Sequence, residues 1–173
     1  PCGDNNTYLQ QVPFVARTIA AETTLEVNGT RLVFGKDYVI APPFPDEVKR
    51  IEGEAVIAGY GVVSEELKRD DYAGIDVKGK VVLLFAGRPT GVDEKVWAKA
   101  SNQMAVFSNI ISKGAAAVVI VGFSSGGRPF SAVADYLSRR SVALAGAPGM
   151  PFPLPPIALA GPEGAKSLFA AAG

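Results

Sequence analysis

Alternating apolar and polar positions predict strands in the first part of the chain. The pattern repeats every second residue over 12–41, and Asn28-Gly29 interrupts it. Asn-Gly is the favoured pair for a tight primed turn, because both residues tolerate a positive φ. We therefore expect a hairpin around Asn28-Gly29 and a further strand at 38–40. Asn28-Gly29-Thr30 also fits the N-glycosylation sequon, although the turn is the simpler interpretation.

Two apolar runs and one amphipathic segment predict the centre of the fold. Residues 81–85 and 115–121 are almost entirely apolar, which is typical of strands buried on both faces. Between them, apolar residues recur at helical spacing over 94–113, with Asp93 as the N-cap and Gly114 at the end. A strand, a helix and a strand in this order form a βαβ unit with parallel strands. The pattern thus predicts an α/β fold with mixed sheets around a central βαβ unit.

Shorter segments complete the predicted fold. A strand is expected at 55–58, followed by a helical turn over 64–71 that Ser64 caps. Four later elements are expected: a helix over 130–140, a Gly/Pro-rich loop through Pro153, a short strand at 156–159, and a helix that opens at Gly161-Pro162-Glu163. The 173 residues suffice for one domain, so we expect a single domain over 1–173.

Composition argues against several classes of function. Seventeen basic and 17 acidic residues leave no net charge to attract a polyanion or an anionic membrane. No apolar stretch approaches the roughly 20 residues of a membrane span. The sequence has no histidine, the usual general base near neutral pH and the commonest zinc ligand. We expect no nucleic-acid binding, no membrane span and no catalytic zinc site in these residues.

The first residues suggest that the sequence starts inside a longer protein. Cys2 cannot form an internal disulfide. The segment 1–6 has neither the basic nor the apolar region of a signal peptide. We therefore expect an internal fragment, and these residues leave the redox compartment undecided.

Three local motifs are candidates for chemistry, and each has a simpler interpretation. Gly122-Phe123-Ser124-Ser125-Gly126 has the form of the Gly-x-Ser-x-Gly elbow of hydrolases, but without histidine Ser124 has no ordinary base. The same Gly-rich segment is a candidate phosphate-binding loop, although Pro129 removes a backbone donor. Asp70-Asp71 is a candidate cation site. We favour an exposed loop for the first two and a solvated turn for the third.

The stretch from residue 57 to residue 122 resembles a known family. Four segments in order carry the resemblance: Gly59-Tyr60-Gly61, Asp70-Asp71-Tyr72, Asp76-Val77-Lys78-Gly79-Lys80-Val81-Val82 and Lys113-Gly114-Ala115. The series resembles the protease-associated (PA) domain inserted in zinc aminopeptidases and carboxypeptidases of the family that contains glutamate carboxypeptidase and the transferrin receptor. More faintly, residues 3–13 resemble the segment before the insert in bacterial members, and residues 153–157 resemble the last strand of the domain.

The resemblance implies a swivelling β/β/α fold, with residues 1–15 and 161–173 bordering a peptidase core outside this sequence. That core would supply the zinc ligands of a metallopeptidase, so the resemblance implies no catalytic residue, metal or cofactor in this chain. The domain would shape or gate the substrate channel and contact peptide or protein. The family also implies a secreted or periplasmic hydrolase as the parent protein.

Three residues are candidates for the rim of the substrate channel: Arg88, Ser124 and Arg128. In some relatives, the loop after the Lys-Gly-Lys-Val-Val strand carries an arginine that reaches a substrate carboxylate. Arg88 lies in the matching loop, whose local sequence departs from that of those relatives. Arginine suits a carboxylate because it offers paired donors, and an unpaired surface arginine is the simpler interpretation. Trp97 is expected to pack in the core or against the peptidase core.

Two rival hypotheses remain. A free-standing PA-type module, of the kind attached to subtilisin-like proteases and sorting receptors, would bind peptide or protein in its loops. A self-contained α/β enzyme or small-ligand binder would use the loop at 122–127. Zinc-ligand motifs after residue 173 would favour the accessory domain, and a transmembrane or serine-protease segment would favour the module. A shift in melting temperature with phosphate or nucleotides would favour the third hypothesis.

Overall fold

The computed structural model describes Tyr8 and residues 11–19, 23–42, 50–124, 128–145 and 154–172. The strands are β1 (Phe14–Arg17), β2 (Leu25–Val27), β3 (Thr30–Leu32), β4 (Tyr38–Ala41), β5 (Ala55–Ile57), β6 (Val63–Ser64), β7 (Arg69–Asp70), β8 (Val81–Phe85), β9 (Ala117–Val121), β10 (Ser141–Leu144) and β11 (Ile157–Ala160). The helices are α1 (Glu94–Ala100), α2 (Gln103–Ser112), α3 (Phe130–Leu137) and α4 (Pro162–Ala172).

A five-stranded mixed sheet forms the centre of the fold, in the order β4-β11-β9-β8-β5. Strands β5, β8, β9 and β11 run parallel to one another, and the edge strand β4 is antiparallel to β11. β8 and β9 pair directly, with Val81 opposite Ala117 and Phe85 opposite Val121, and the helical segment lies between them in sequence. The α/β fold with a mixed sheet and a central βαβ unit is therefore confirmed.

Side chains from the two faces of this sheet enter two separate hydrophobic clusters. Val82 and Val118 belong to one cluster, which includes Phe107 and Ile110 of α2. Val119 and Val121 belong to the other, which includes Leu32 of β3 and Leu168 of α4. Because successive residues of a strand point to opposite faces, an uninterrupted apolar strand supplies both clusters at once. This arrangement explains why the two apolar runs became the central strands.

The hairpin, the strands β4 and β11 and the start of α4 were predicted correctly. β2 and β3 pair across Asn28 and Gly29, whose φ angles of 47° and 79° suit a primed turn. β4 and β11 form at the expected places, and Pro162 opens α4. The helix expected over 130–140 is shorter and ends at Leu137. No helix in the described ranges is long and apolar enough to cross a membrane.

The prediction of one continuous helix over 94–113 was wrong, since the segment forms the two helices α1 and α2. Asp93 caps α1 as expected, accepting from the backbone N–H groups of Lys95 and Val96. The break lies at Asn102, whose side chain accepts from Met104 N at 2.9 Å and so starts a second helix. A side chain that caps a new helix competes with continuation of the preceding one.

Two further predictions were wrong because strand pairing replaced local structure. The helical turn expected over 64–71 is a short hairpin of β6 and β7, in which Ser64 Oγ accepts from Leu67 N at 3.3 Å. The start of the expected Gly/Pro-rich loop is strand β10, which pairs with β1. Residues 146–153 of that loop lie outside the described residues.

Candidate functional site

The carboxyl ends of the parallel strands β5, β8, β9 and β11 meet at one edge of the sheet, which we call the carboxyl edge. The loops that follow the strands at this edge are held by a rigid sheet, the setting in which binding residues commonly occur. Backbone hydrogen bonds join the loops there: Phe85 N donates to Gly59 O at 2.7 Å, and Ala86 N donates to Val121 O at 2.9 Å. The loops after β5, β8 and β9 are therefore fixed side by side.

Arg88 is exposed in the loop that follows β8. Its Nη1 donates to Val92 O at 2.6 Å, which closes the loop on itself. Trp97 Nε1 donates to Gly87 O at 3.0 Å and ties the same loop to α1. A guanidinium carries five N–H donors, so Arg88 retains donors beyond this loop contact. The structure thus presents Arg88 at the carboxyl edge on a braced backbone.

An aromatic cluster lies next to this loop. The Tyr60 ring meets Trp97 edge to face at 5.1 Å between centroids and lies 6.0 Å from Phe85, which stacks on Phe169 at 6.2 Å. The Arg69 guanidinium lies over Tyr60 at 5.2 Å and over Trp97 at 5.9 Å. Trp97 is buried, which confirms that it packs in the core.

Asp71 holds the loop after β5 in place through its carboxylate. Oδ2 accepts from Tyr60 N at 2.8 Å and from Val62 N at 3.0 Å, and Oδ1 pairs with Arg69 Nε at 2.7 Å. Asp70 Oδ1 accepts from Tyr72 N at 2.9 Å. Both carboxylates therefore accept hydrogen bonds from the local backbone, but only Asp70 is exposed, so the solvated turn expected at Asp70-Asp71 does not describe Asp71, whose side chain is 6% exposed. Among the described residues, no group of three or more His, Cys, Asp or Glu side chains is arranged to hold a metal ion.

Tyr72 lies beneath the same loop. Burial, and then the negative charges of Asp71 and Asp70, raise the pKa of its hydroxyl to about 12. The hydroxyl has no hydrogen-bond partner in the described part of the chain, and Lys113 Nζ lies 4.9 Å from the ring centroid. A phenol that holds its proton so firmly is a poor general base near neutral pH.

Ser124 and Arg128 follow β9, and the structure places them differently. Ser124 is exposed close to the end of β9, on the loop next to that of Arg88. After β9, the next helix in the described residues is α3, which begins at Phe130. Residues 125–127 of the proposed phosphate loop lie outside the described residues. The carboxyl edge therefore brings Arg88 and Ser124 onto neighbouring loops.

Arg128 is exposed at a shallow, mainly apolar cavity of about 320 Å³ between α3 and the sheet. The other lining residues include Ala41, Phe123, Tyr136, Leu137 and Leu159. The structure thus assigns Arg128 to this cavity, which we call the α3 cavity.

Tyr60 and Asp71 lie in segments that carry the family resemblance, whereas no sequence pattern predicted a role for Arg69. The arrangement depends on Trp97, which is distant in sequence, and no local pattern marks such a contact. The position of Arg88 could be predicted from the sequence, because Arg88 follows the clearly predicted strand β8. Comparison with known proteins gives no match: no family model fits the chain, and no curated protein or solved structure matches it significantly.

Proposed function

We propose that this chain is a PA-type accessory domain of a secreted zinc aminopeptidase, and that it shapes or gates the substrate channel without catalysing the reaction itself. The observation that carries the proposal is Arg88, exposed at the carboxyl edge in the loop after the Lys-Gly-Lys-Val-Val strand. That position matches the one from which an arginine reaches a substrate carboxylate in some relatives of the resembled family.

The geometry around Arg88 suits recognition of a carboxylate on a peptide. Trp97 and Val92 brace the loop backbone and the guanidinium, so little further ordering accompanies binding. The donors that remain on Arg88 can pair with both oxygens of a carboxylate. Ser124, on the neighbouring loop, offers a hydroxyl for a second polar contact. These features support a role at the rim of a channel.

Zinc would be bound by the proposed peptidase core, and the described residues of this chain do not fit a zinc site. They contain no group of three or more candidate ligands, and the sequence has no histidine. The domain's contribution is therefore to bind and orient peptide next to a body that supplies the zinc and the catalytic groups.

The decisive experiment compares the 173-residue chain with the protein of the complete reading frame on amino-acid anilides, with and without zinc. We expect zinc-dependent cleavage from the longer protein alone. In that protein, Arg88→Ala should lower kcat/KM about tenfold for peptides with a nearby carboxylate, the effect of one charge-assisted contact, and leave neutral anilides unchanged. Arg50→Ala is the control, since Arg50 is an exposed arginine that pairs with Glu52 on a segment before β5. Cleavage by the 173-residue chain itself would refute the proposal.

A free-standing PA-type binding module is the second candidate, and the α3 cavity favours it. The cavity combines an apolar lining with an arginine at its rim, and ligand sites in general combine apolar surface with a few polar groups. If the longer protein lacks peptidase activity, binding of a peptide library to the 173-residue chain tests this candidate. Val133→Glu, on the cavity wall, should abolish such binding.

A further inference from the structure

Strands β1 and β10 form a two-stranded antiparallel ribbon that stands apart from the main sheet. Phe14 pairs with Leu144 and Arg17 with Ser141, and Ala145 N donates to Pro13 O at 2.9 Å beyond the last pair. All eight residues of the ribbon are exposed. Among the described elements, the extensive contacts of β1 and β10 are with each other.

One face of this ribbon is entirely apolar. Residues directly opposite each other share a face, so the pairs Phe14–Leu144 and Ala16–Val142 lie together. Phe14 and Val142 are each 62% exposed and Leu144 is 51% exposed. The opposite face carries Arg17 and Ser141 and is more polar. A two-stranded ribbon is marginally stable in water unless another element covers its apolar face, so this face calls for an occupant.

The size of the face indicates what kind of occupant fits. The four residues of this face leave an exposed apolar patch on the order of 300 Å², whereas a stable free partner or a second copy buries about 800 Å² on each side. A domain of the same polypeptide needs far less area, because the linker holds it at an effective concentration of order millimolar. The small face therefore favours a covalently attached domain over a free protein.

Charge indicates the chemistry of the surface that would meet the ribbon. Arg139 and Arg140 are exposed immediately before β10. The segments 11–19 and 138–145, which contain the ribbon and its flanks, include no acidic residue. Complementary charge fixes register at an interface, so the facing surface should be apolar with acidic side chains toward the Ser141 end.

We infer that the apolar face of the β1–β10 ribbon docks onto the body of an attached domain of the same polypeptide, on an apolar patch with an acidic rim. The inference rests on the proposed function only in that it requires an attached domain. It does not require that domain to be active. The ribbon would then fix the orientation of the carboxyl edge relative to the body.

Hydrogen exchange measured by mass spectrometry tests this inference on the 173-residue chain and on the protein of the complete reading frame. We expect the backbone amides of residues 14–17 and 141–144 to exchange at least tenfold more slowly in the longer protein. Phe14→Ser combined with Leu144→Ser should remove that added protection. Val15→Ser combined with Ala143→Ser is the matched control on the other face and should retain it.

Three outcomes would overturn the inference. Equal exchange in the two proteins means that nothing in the longer chain covers the ribbon. A concentration-dependent mass of the 173-residue chain, abolished by the Phe14 and Leu144 changes, means that a second copy is the occupant. A reading frame that encodes no further domain also refutes it. Protection without peptidase activity would uphold the ribbon contact while refuting the proposed function, so the two are distinguishable.

Discussion

At the scale of single residues, Asp71 is the carboxylate on which the loop after β5 depends. Its side chain is 6% exposed, accepts hydrogen bonds from two backbone N–H groups and forms an ion pair with Arg69. Asp71→Asn leaves the Arg69 guanidinium without its counter-charge, and we expect the free energy of unfolding to fall by about 3 kcal/mol. Asp70→Asn, which weakens one hydrogen bond on an exposed residue, should cost about 1 kcal/mol. Urea unfolding measures both, and equal losses would contradict this role for Asp71.

Tyr72 gives a prediction about pH. Its pKa rises from 10.0 to about 12 because of burial and the charges of Asp71 and Asp70. Between these values the unfolded chain loses the phenolic proton while the folded chain keeps it. The free energy of unfolding is therefore unaffected by this ionisation below about pH 10, and it falls as pH rises from about 10 to about 12. Relative to Tyr72→Phe, the wild type should lose about 3 kcal/mol of unfolding free energy across that window.

Comparing the wild type with Tyr72→Phe at pH 7 measures what the neutral hydroxyl group contributes to stability. Because the Tyr72 hydroxyl is buried without a partner in the described residues, Tyr72→Phe should leave stability unchanged or raise it by up to about 1 kcal/mol. Tyr136→Phe is the control, since Tyr136 is exposed and its substitution should leave stability unchanged at pH 7. A large loss at pH 7 for Tyr72→Phe would reveal a hydrogen bond to that hydroxyl.

At the scale of elements, α4 docks through a glycine. A Cβ on Gly164 would overlap the carbonyl oxygen of Asp37, which also accepts from Gly161 N at 3.0 Å. Gly→Ala inside a helix ordinarily stabilises by about 1 kcal/mol. Gly164→Ala should instead destabilise by about 2 kcal/mol, because α4 must move away from the loop before β4. In thermal unfolding, Ala170→Gly on the exposed side of α4 should show only the propensity loss of about 1 kcal/mol.

Elements whose ends are marked by turn or capping residues could be predicted from the sequence. Asn28-Gly29 fixed the hairpin by its backbone preference, and Asp93 and Gly114 marked the two ends of the helical segment correctly. The break at Asn102 was missed because the apolar spacing continues through it while the side chain caps a new helix. β10 was missed because its partner β1 is far away in the sequence. Stabilisation by a strand partner that is distant in sequence leaves no pattern in a short stretch of sequence.

In the candidate site, too, the residues with a local sequence signal could be predicted, and those held by contacts between distant segments could not. Arg88 and Ser124 follow strongly predicted parallel strands, and parallel strands end at a common edge, so their neighbouring loops were foreseeable. The assembly of Arg69, Trp97 and Asp71 was not, since it needs contacts among three separate elements. Arg128 shares its loop with Ser124 but lines the α3 cavity, because α3 packs beside the sheet there.

At the scale of the whole molecule, the two hydrophobic clusters share the same strands. Val118 belongs to one cluster and Val119 to the other, so disrupting one face of β9 removes support from the other. A single cooperative unfolding transition is therefore expected, consistent with one domain over residues 1–173. Fluorescence of Trp97, the only tryptophan, should change at the same urea concentration as the far-ultraviolet circular dichroism.

Gly164→Ala makes this test of coupling sharper. Gly164 lies against the Asp37 backbone, whereas Trp97 contacts Tyr60 and Gly87, in the aromatic cluster to which α4 contributes Phe169. If the molecule unfolds as one unit, the substitution in α4 must lower the midpoint seen by Trp97 fluorescence as much as the midpoint seen by circular dichroism. An unchanged fluorescence midpoint beside a lowered dichroism midpoint would mean that the β2–β3 hairpin and α4 unfold as a separate unit. The prediction of a single domain would then be wrong.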